Sequence, residues 1–495
     1  MLRLWEKVIA FLKKILGIKT IPQEVADADT LVTNWWDIYS SKASWLPYKF
    51  VTSDGRSRSH TRRTLNPAKI VCSEIAGLVL AEPPTVDAGP LVESVIKAES
   101  LWSNLRRHVE YQAAMGGMAI KARPENGKIV LDFVTALNII PIKADNSRIV
   151  EASFIDRRVD GKKVYVRIES YTKTDTGYRV QSRAFDEAKD EEVPLEKLWP
   201  GVLPSVEIEI DDPPFVYMKN PEANNIDSES PIGISAFHNA DDMIQGLDIA
   251  YDEFVWEVES GQRRIAVPAA AMRTFLDLET GQNKLGYNPG DRVFMTLVGD
   301  DADKLKMTDL TSDIRAQQFI DVINYNLNLL SVQCGFDAGY FSFDGTSMKT
   351  ATEVISENSH TYKTREAYRE VLNTGLIQLF RVINKLGAIY KIEGTTTKEP
   401  SITWNDGIIE DRNSRTKYHE DLFASGLEDR VTAIMKIHGL DEAKAQEMAK
   451  KIKADKAIVA DPFGFDSEPK KKAYRSPPSA VEKRMVGKIS DVKVK

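Results

Sequence analysis

The chain has 495 residues, 42% apolar and 28% charged, a formal charge of −7 and six histidines. That length fits on the order of three domains, and 8% aromatic residues exclude a globally disordered polymer. So mild an acidic balance excludes a protein that grips nucleic acid over its whole surface, because tight phosphate binding needs clustered Lys and Arg.

In Met1 to Gly17, Leu4, Val8, Phe11, Leu12 and Ile15 share one helical face while Lys7, Lys13 and Lys14 lie elsewhere. Such a basic amphipathic helix either docks on a neighbouring protein or lies on a membrane surface; the charges exclude a signal-peptide core. No run approaches the ~20 apolar residues of a membrane span. Pro22 opens a second helix carrying Leu31, Trp35, Ile38 and Tyr39, which Pro47 ends. Ser53 to Arg63 reads as a basic polar loop, either solvated or meeting DNA phosphates or an acidic neighbour.

Asn66 and Pro67 mark the next helix start, with Asn as N-cap and Pro at the first helical position. One amphipathic helix is expected from Pro90 to Met115, stopped by Gly116 and Gly117. The period then shortens toward two, predicting strands at 118–123, 128–134, 149–156, 163–171 and 178–184, joined by turns such as Asn126-Gly127 and Asp160-Gly161. Short strands with tight turns imply an antiparallel sheet; Asp186 to Glu192 reads as a charged surface loop.

A long helix follows from Ser235 to Gly261. Asp241, Asp248, Asp252 and Glu259 fall along one line of it. Like charges so spaced repel by a few tenths of a kcal/mol per close pair, so the stripe is either well solvated or offset by something else. Next comes a small α+β insert, with strands at Arg263–Val267 and Asp291–Leu297, a helix at Ala269–Leu276 and a turn at Asn288-Pro289-Gly290.

Asp313 to Tyr390 is the stretch around which the rest is organised. Ala316, Ile320, Ile323, Leu327, Leu330 and Cys334 form one helical stripe, with Gln317, Asp321, Asn324 and Asn328 opposite. A loop then leads to a proline-free segment with Tyr368, Leu372, Leu376, Leu379, Ile383, Leu386 and Tyr390 in helical register. It predicts a helix of about 40 residues, roughly 60 Å long, a spine linking domains or subunits. Beyond it come a strand at Ser401 to Trp404, helices at Asp411–Leu422, Arg430–His438 and Asp441–Ala457, and a disordered basic tail after Asp461.

Catalytic signatures are missing. There is no G-x-x-x-x-G-K-[ST] phosphate cradle, no strand-linked G-x-G-x-x-G, no G-x-S-x-G and no H-E-x-x-H. The histidines are scattered, and His419 reads as part of a solvated helix face. The two cysteines, Cys72 and Cys334, read as small core residues in a reducing, intracellular compartment. No enzymatic activity, cofactor or metal is expected.

F-S-F-D at Phe341 to Asp344 and K-T-A-T-E-V at Lys349 to Val354 resemble the portal proteins of tailed bacteriophages, most closely those of long-tailed phages of Gram-positive bacteria. Ser359 to Tyr362, Arg315, the Pro231/Gly233/Ser235 helix start, and W-N-D-G-I-I-E-D at Trp404 to Asp411 continue the likeness, which spans roughly residues 30 to 455. The resemblance implies an α+β multidomain portal fold: wing 1–231, first stem helix 232–262, clip 263–311, second stem helix 312–336, tunnel loop 337–348, spine helix 349–392, wing strand region 393–410, helical crown 411–460 and tail 461–495.

It further implies a homo-oligomeric ring, usually of twelve subunits, at one capsid vertex of the virion, assembled in the host cytoplasm. Double-stranded DNA passes through it during packaging and ejection. Its partners are the large terminase subunit that acts as packaging motor, the head–tail adaptor, and the major capsid and scaffold proteins. The tunnel loop would present Gly339, Tyr340, Phe341, Ser342, Phe343, Asp344, Gly345, Thr346, Ser347, Met348 and Lys349 toward DNA, unless both phenylalanines pack against the spine. Asp241, Asp248, Asp252 and Glu259 would line the channel or pair with basic residues of the next subunit. The other reading from the same class of particle is an oligomeric minor head protein that binds the capsid without forming the pore.

Overall fold

The computed structural model describes residues 23–52, 55–145, 148–189, 191–261, 313–343, 359–404, 412–438 and 444–452, with Phe11, Gly281 and four short strands between 265 and 309. The chain divides into two compact units, Met1–Glu410 and Asp411–Lys495. Helices and antiparallel sheets make an α+β fold, as expected.

In the first unit, α1 (Gln23–Tyr39) starts just after Pro22 and buries Val32, Trp35, Ile38 and Tyr39. The expected basic loop is instead largely a β-hairpin: β1 (Pro47–Val51) pairs antiparallel with β2 (Ser57–Thr61), from Pro47↔Thr61 to Val51↔Ser57. Helix α2 (Pro67–Val79) begins at Pro67 with Asn66 at the N-cap position, as predicted, but the Asn66 side chain makes no capping hydrogen bond. Asn66 adopts the left-handed conformation, φ 53°, and its side-chain oxygen accepts from Ser41 Oγ. The single helix expected from Pro90 to Met115 is two, α3 (Pro90–Ala98) and α4 (Leu101–Met115), separated after β3 (Thr85–Asp87) by a break where Ser100 has φ 47°. Asn104 stabilises that break by donating to the Glu99 carbonyl, 2.8 Å.

Two sheets follow. β4 (Gly117–Glu125) and β5 (Lys128–Thr135) form a hairpin, and β6 (Ile139–Asp145), β7 (Arg148–Asp160), β8 (Lys163–Thr174), β9 (Gly177–Asp186) and β10 (Glu191–Val193) form a meander. β10 occupies part of the expected charged loop, and Asp186 is buried there, accepting from the Ala188 and Lys189 amides. After a single helical turn, α5 (Leu195–Leu198), β11 (Ser205–Ile208) joins β9 and β12 (Phe215–Lys219) joins β4. The chain then crosses itself: Gly116, φ 83°, and Gly233 are so close that a Cβ on either would collide with the other's carbonyl oxygen. Only glycine fits both positions.

Helix α6 (Asp241–Ser260) runs out from this crossing. In the insert, β13 (Ile265–Ala266) pairs with β16 (Thr308–Asp309), and β14 (Arg273–Leu276) pairs with β15 (Asn283–Gly286). The helix expected at Ala269–Leu276 is therefore strand in its second half. Thr274 and Phe275 favour extended backbone, and Gly281, φ 67°, lies in the connection that reverses the chain. The expected strand at Asp291–Leu297 and the 288–290 turn lie outside the described residues.

Helix α7 (Ala316–Gln333) returns antiparallel along α6: Phe319 meets Phe254 with ring centroids 5.6 Å apart, and Arg315 binds Glu257 at 2.6 and 2.9 Å. Ile323, Leu327, Leu330 and Cys334 of the predicted stripe are buried, while Ile320 is exposed. Helix α8 (Ser359–Ile389) is the described spine, 31 residues and about 46 Å long; 349–358 lie outside the described residues. Its Tyr368, Leu372, Leu376, Leu379, Ile383 and Leu386 are fully buried, with Ala113 to Met115 of α4 and Met118 and Ile120 of β4 in the same core. Each such leucine contributes about 1.5–3 kcal/mol. The strand predicted at 401–404 is β17 (Ser401–Thr403), paired with β3.

The second unit contains α9 (Arg412–Ala424), α10 (Arg430–His438) and a helical run over 444–452. His419 is buried rather than solvated, its Nδ1 2.7 Å from Glu428 Oε2. That contact holds the Glu428 carboxyl below its usual range. The predicted tail and most of the N-terminal helix lie outside the described residues; of the latter, Phe11 stacks at 4.5 Å on Phe185. No described helix is long and apolar enough to cross a membrane.

Candidate functional site

The loop after α7 has a rigid root. Gly335, φ 78°, turns the chain against α8, where Thr364 Oγ1 donates to its carbonyl at 2.6 Å. Asp337 accepts from the His360 and Thr361 amides at 3.2 and 3.3 Å and from Thr361 Oγ1 at 2.8 Å. A carboxylate there satisfies free N–H groups at the described start of α8. Phe336, Tyr340 and Phe341 form a triangle of rings with centroids 4.9, 4.9 and 5.1 Å apart, Phe341 edge to face with both others and Phe336 tilted against Tyr340.

Each expected tunnel-loop residue within the described stretch has a distinct setting. Gly339, φ 84°, lets the Ser342 amide and hydroxyl fold back onto its carbonyl at 3.1 and 2.9 Å. Tyr340 donates its hydroxyl to Glu74 of α2 at 2.5 Å; burial, reinforced by Glu74, raises its pKa. The Phe341 amide meets Ser331 Oγ at 3.4 Å, and its ring packs inward on Phe336 rather than reaching out. Phe343 donates its amide to Asn324 Oδ1 at 3.1 Å, yet its side chain is 70% exposed. The two phenylalanines thus differ: one belongs to the root and the other projects. Asp344, Gly345, Thr346, Ser347, Met348 and Lys349 lie outside the described residues.

The acidic line of α6 has intrachain partners. Asp241 lies 3.6 Å from His238 Nδ1. Asp248 is 2% exposed and accepts from Trp45 Nε1 at 3.0 Å; its burial raises the carboxyl pKa. Asp252, 3% exposed, accepts from His60 Nε2 at 3.1 Å and from the Arg63 amide at 3.1 Å. Glu259 receives the Arg63 guanidinium at 2.6 Å. The basic stretch after β1 therefore clasps the acidic helix and offsets the repulsion along it. Asp248 and Asp252 are closed off inside the chain, so neither a channel wall nor a link to the next subunit is needed to account for them; Asp241 and Glu259 stay partly open.

Sequence reasoning missed the anchors Glu74, Ser331, Asn324 and Asp337. Asn324 falls opposite the apolar stripe of α7, yet it is buried beneath the loop. Glu74 lies 266 residues from Tyr340, with no local signal linking them. The clasp did have a signal: Arg62 and Arg63 are opposite in charge to the acidic line of α6. No group of residues able to hold a metal ion occurs among the described residues.

The family described as "Phage portal protein, SPP1 Gp6-like" matches residues 27–459. No curated protein matches the chain. Among solved structures, a chain from the virion of a native gene transfer agent (GTA) particle aligns with a TM-score of 0.39 at 10% identity, covering 76% of this chain and 89% of that one. With the family match spanning most of its length, the chain belongs to the phage portal proteins, structural components of the virion rather than enzymes.

Proposed function

We propose that copies of this chain form a closed ring, a dodecamer, at one vertex of the capsid, and that double-stranded DNA enters and leaves the head through its centre. The observation that carries this reading is the loop after α7, whose root is fastened to α2, α7 and α8 while Phe343 projects into solvent. A projecting tip on a rigid root suits contact with a moving polymer, because the tip can be touched without disturbing the core.

In this reading 232–262 and 312–336 are the stem and 337–348 the tunnel loop, continuing to Lys349. The clip, 263–311, receives the large terminase subunit during packaging and the head–tail adaptor afterwards. The wing, 1–231 with 349–410, meets major capsid and scaffold proteins, and 411–460 is the crown. Helices α6 and α7 contain no Lys or Arg. A stem whose one Lys or Arg, Arg315, is held by Glu257 favours transport, since free Lys–phosphate and Arg–phosphate contacts would hold DNA in place whatever its sequence. Exposed Asp242 and Glu253 make the stem repel phosphate without help from Asp248, Asp252 or the Arg63-bound Glu259.

Negative-stain imaging and native mass measurement test the ring. A chain that stays monomeric in every condition refutes it. Phe343→Ala tests the loop: the expected result is intact rings in particles that hold less DNA, and an unchanged DNA content refutes a role for the tip.

A further inference from the structure

The hairpin β1–β2 is a separate two-stranded sheet, nearly all of it facing solvent. A lone two-stranded hairpin is at best marginally stable in water. This one is clasped at its base by Asp252 and Glu259, yet Phe50 and Val51 are 40% and 71% exposed. Beside them Lys49 and Arg58 are exposed and form no ion pair among the described residues.

Helix α7 poses the converse problem. It is apolar on two faces. Ile323, Leu327 and Leu330 face the core, while Val322, Tyr325 and Val332, with Leu329 between them, form a second stripe that is left uncovered. A soluble helix apolar on two sides needs two partners. The charge on this helix is the single exposed Asp321.

These two surfaces lie on different sides of α6. At about 100° per residue, the clasped Asp248, Asp252 and Glu259 fall on one flank of that helix. Gly246, Phe254 and Glu257, which meet Asn326, Phe319 and Arg315 of α7, fall on a flank roughly 180° away. A ring is closed by a heterologous contact, in which two different surfaces on opposite sides of the subunit fit each other.

We propose that the β1–β2 hairpin of one copy docks on the outward stripe of α7 of the next copy. By strand alternation Lys49 and Val51 share one face of the hairpin: Val51 covers Val322, Tyr325 and Val332, and Lys49 approaches Asp321. This deepens the ring reading and rests on it. It gives the exposed hairpin its missing partner and joins a cationic surface to one without cations.

The test uses the full-length chain carrying Val51→Cys and Tyr325→Cys together. Its own cysteines, Cys72 and Cys334, are buried and free, so they do not compete for a short bismaleimide. The expected result is a ladder of covalent multimers from the double variant and none from either single variant. Tyr325→Glu should also abolish rings while leaving the circular dichroism spectrum unchanged. Wild-type rings with no ladder, or rings that survive Tyr325→Glu, overturn the docking and leave the ring standing. Dimers from Tyr325→Cys alone overturn it too, because they show like faces meeting. A wild-type chain that never forms rings refutes the ring reading, and the docking with it.

Discussion

Replacing Asp252 by alanine should release the hairpin from α6 without unfolding the unit. The carboxylate accepts from His60 Nε2 at 3.1 Å and from the Arg63 amide at 3.1 Å while 3% exposed. A hydrogen bond to a charged group contributes about 1.5–3 kcal/mol, and a buried N–H left without an acceptor costs about 1–3 kcal/mol. Allowing for the exposed side chain of His60, the net loss is about 3 kcal/mol, or roughly 100-fold in the local opening equilibrium at about 1.4 kcal/mol per tenfold. Native-state hydrogen exchange reads this directly. The Arg63 amide and the β1–β2 amides should lose about two orders of magnitude of protection, while those of β7 to β9 keep theirs. Asp241→Ala is the control, since among the described residues the ion-pair partner of Asp241 is His238, three residues away on the same segment. A loss smaller than about threefold at Arg63 and the hairpin, about 0.65 kcal/mol at RT ln 3, would show that the clasp does not hold them.

Two further outcomes follow from buried charge. Burial pushes the Glu222 carboxyl from 4.5 up to about 7, with the Tyr368 hydroxyl donating to it at 3.4 Å. The folded state then binds more protons than the unfolded between those values, so stability falls as pH rises through that window. Glu222→Gln should match wild type below pH ~4 and exceed it by about 3 kcal/mol at pH ~8 in denaturant titrations, at roughly 1.4 kcal/mol per unit; a constant difference across pH would contradict this. Lys121, 4% exposed, binds Glu169 in the wing. Burial works against the Glu169 charge, but Lys121 and Arg167 outweigh it and keep the carboxyl below its usual range. Lys121→Met should cost about 3–5 kcal/mol, and adding Glu169→Leu should recover most of that; additive losses in the double variant would refute the pairing.

The parts of the fold legible in the sequence are those whose information is local. β7, β8 and β9 carry β-branched and aromatic residues along their length and are joined by Asp160-Gly161 and Thr176-Gly177, so composition and turn agree. The helices with one continuous apolar stripe were equally plain. β12 was not, because Phe215 to Met218 is mostly buried and shows no alternation, and its partner β4 lies about ninety residues away. β2 reads Ser-Arg-Ser-His-Thr, with no apolar residue, and its order depends on charges of α6 that only folding brings near. The site divides the same way. The loop's position and composition were readable, whereas the choice between Phe341 and Phe343 depended on Phe336 and Asn324, whose orientation periodicity alone assigns incorrectly or not at all.

The crossing of Gly116 and Gly233 bears on how copies fit together. At the crossing itself the two backbones touch directly, with no side chain on either glycine whose rotamer could adjust the angle. In a circle of identical wedges any angular error at such a joint recurs in every wedge and accumulates until the last cannot meet the first. A hinge there would let the circle open or change its number; a backbone weld makes the wedge angle a fixed property of each chain before it meets another. Gly233→Ala would thus act first on the size and closure of the assembly, at a distance from every surface that touches a neighbour.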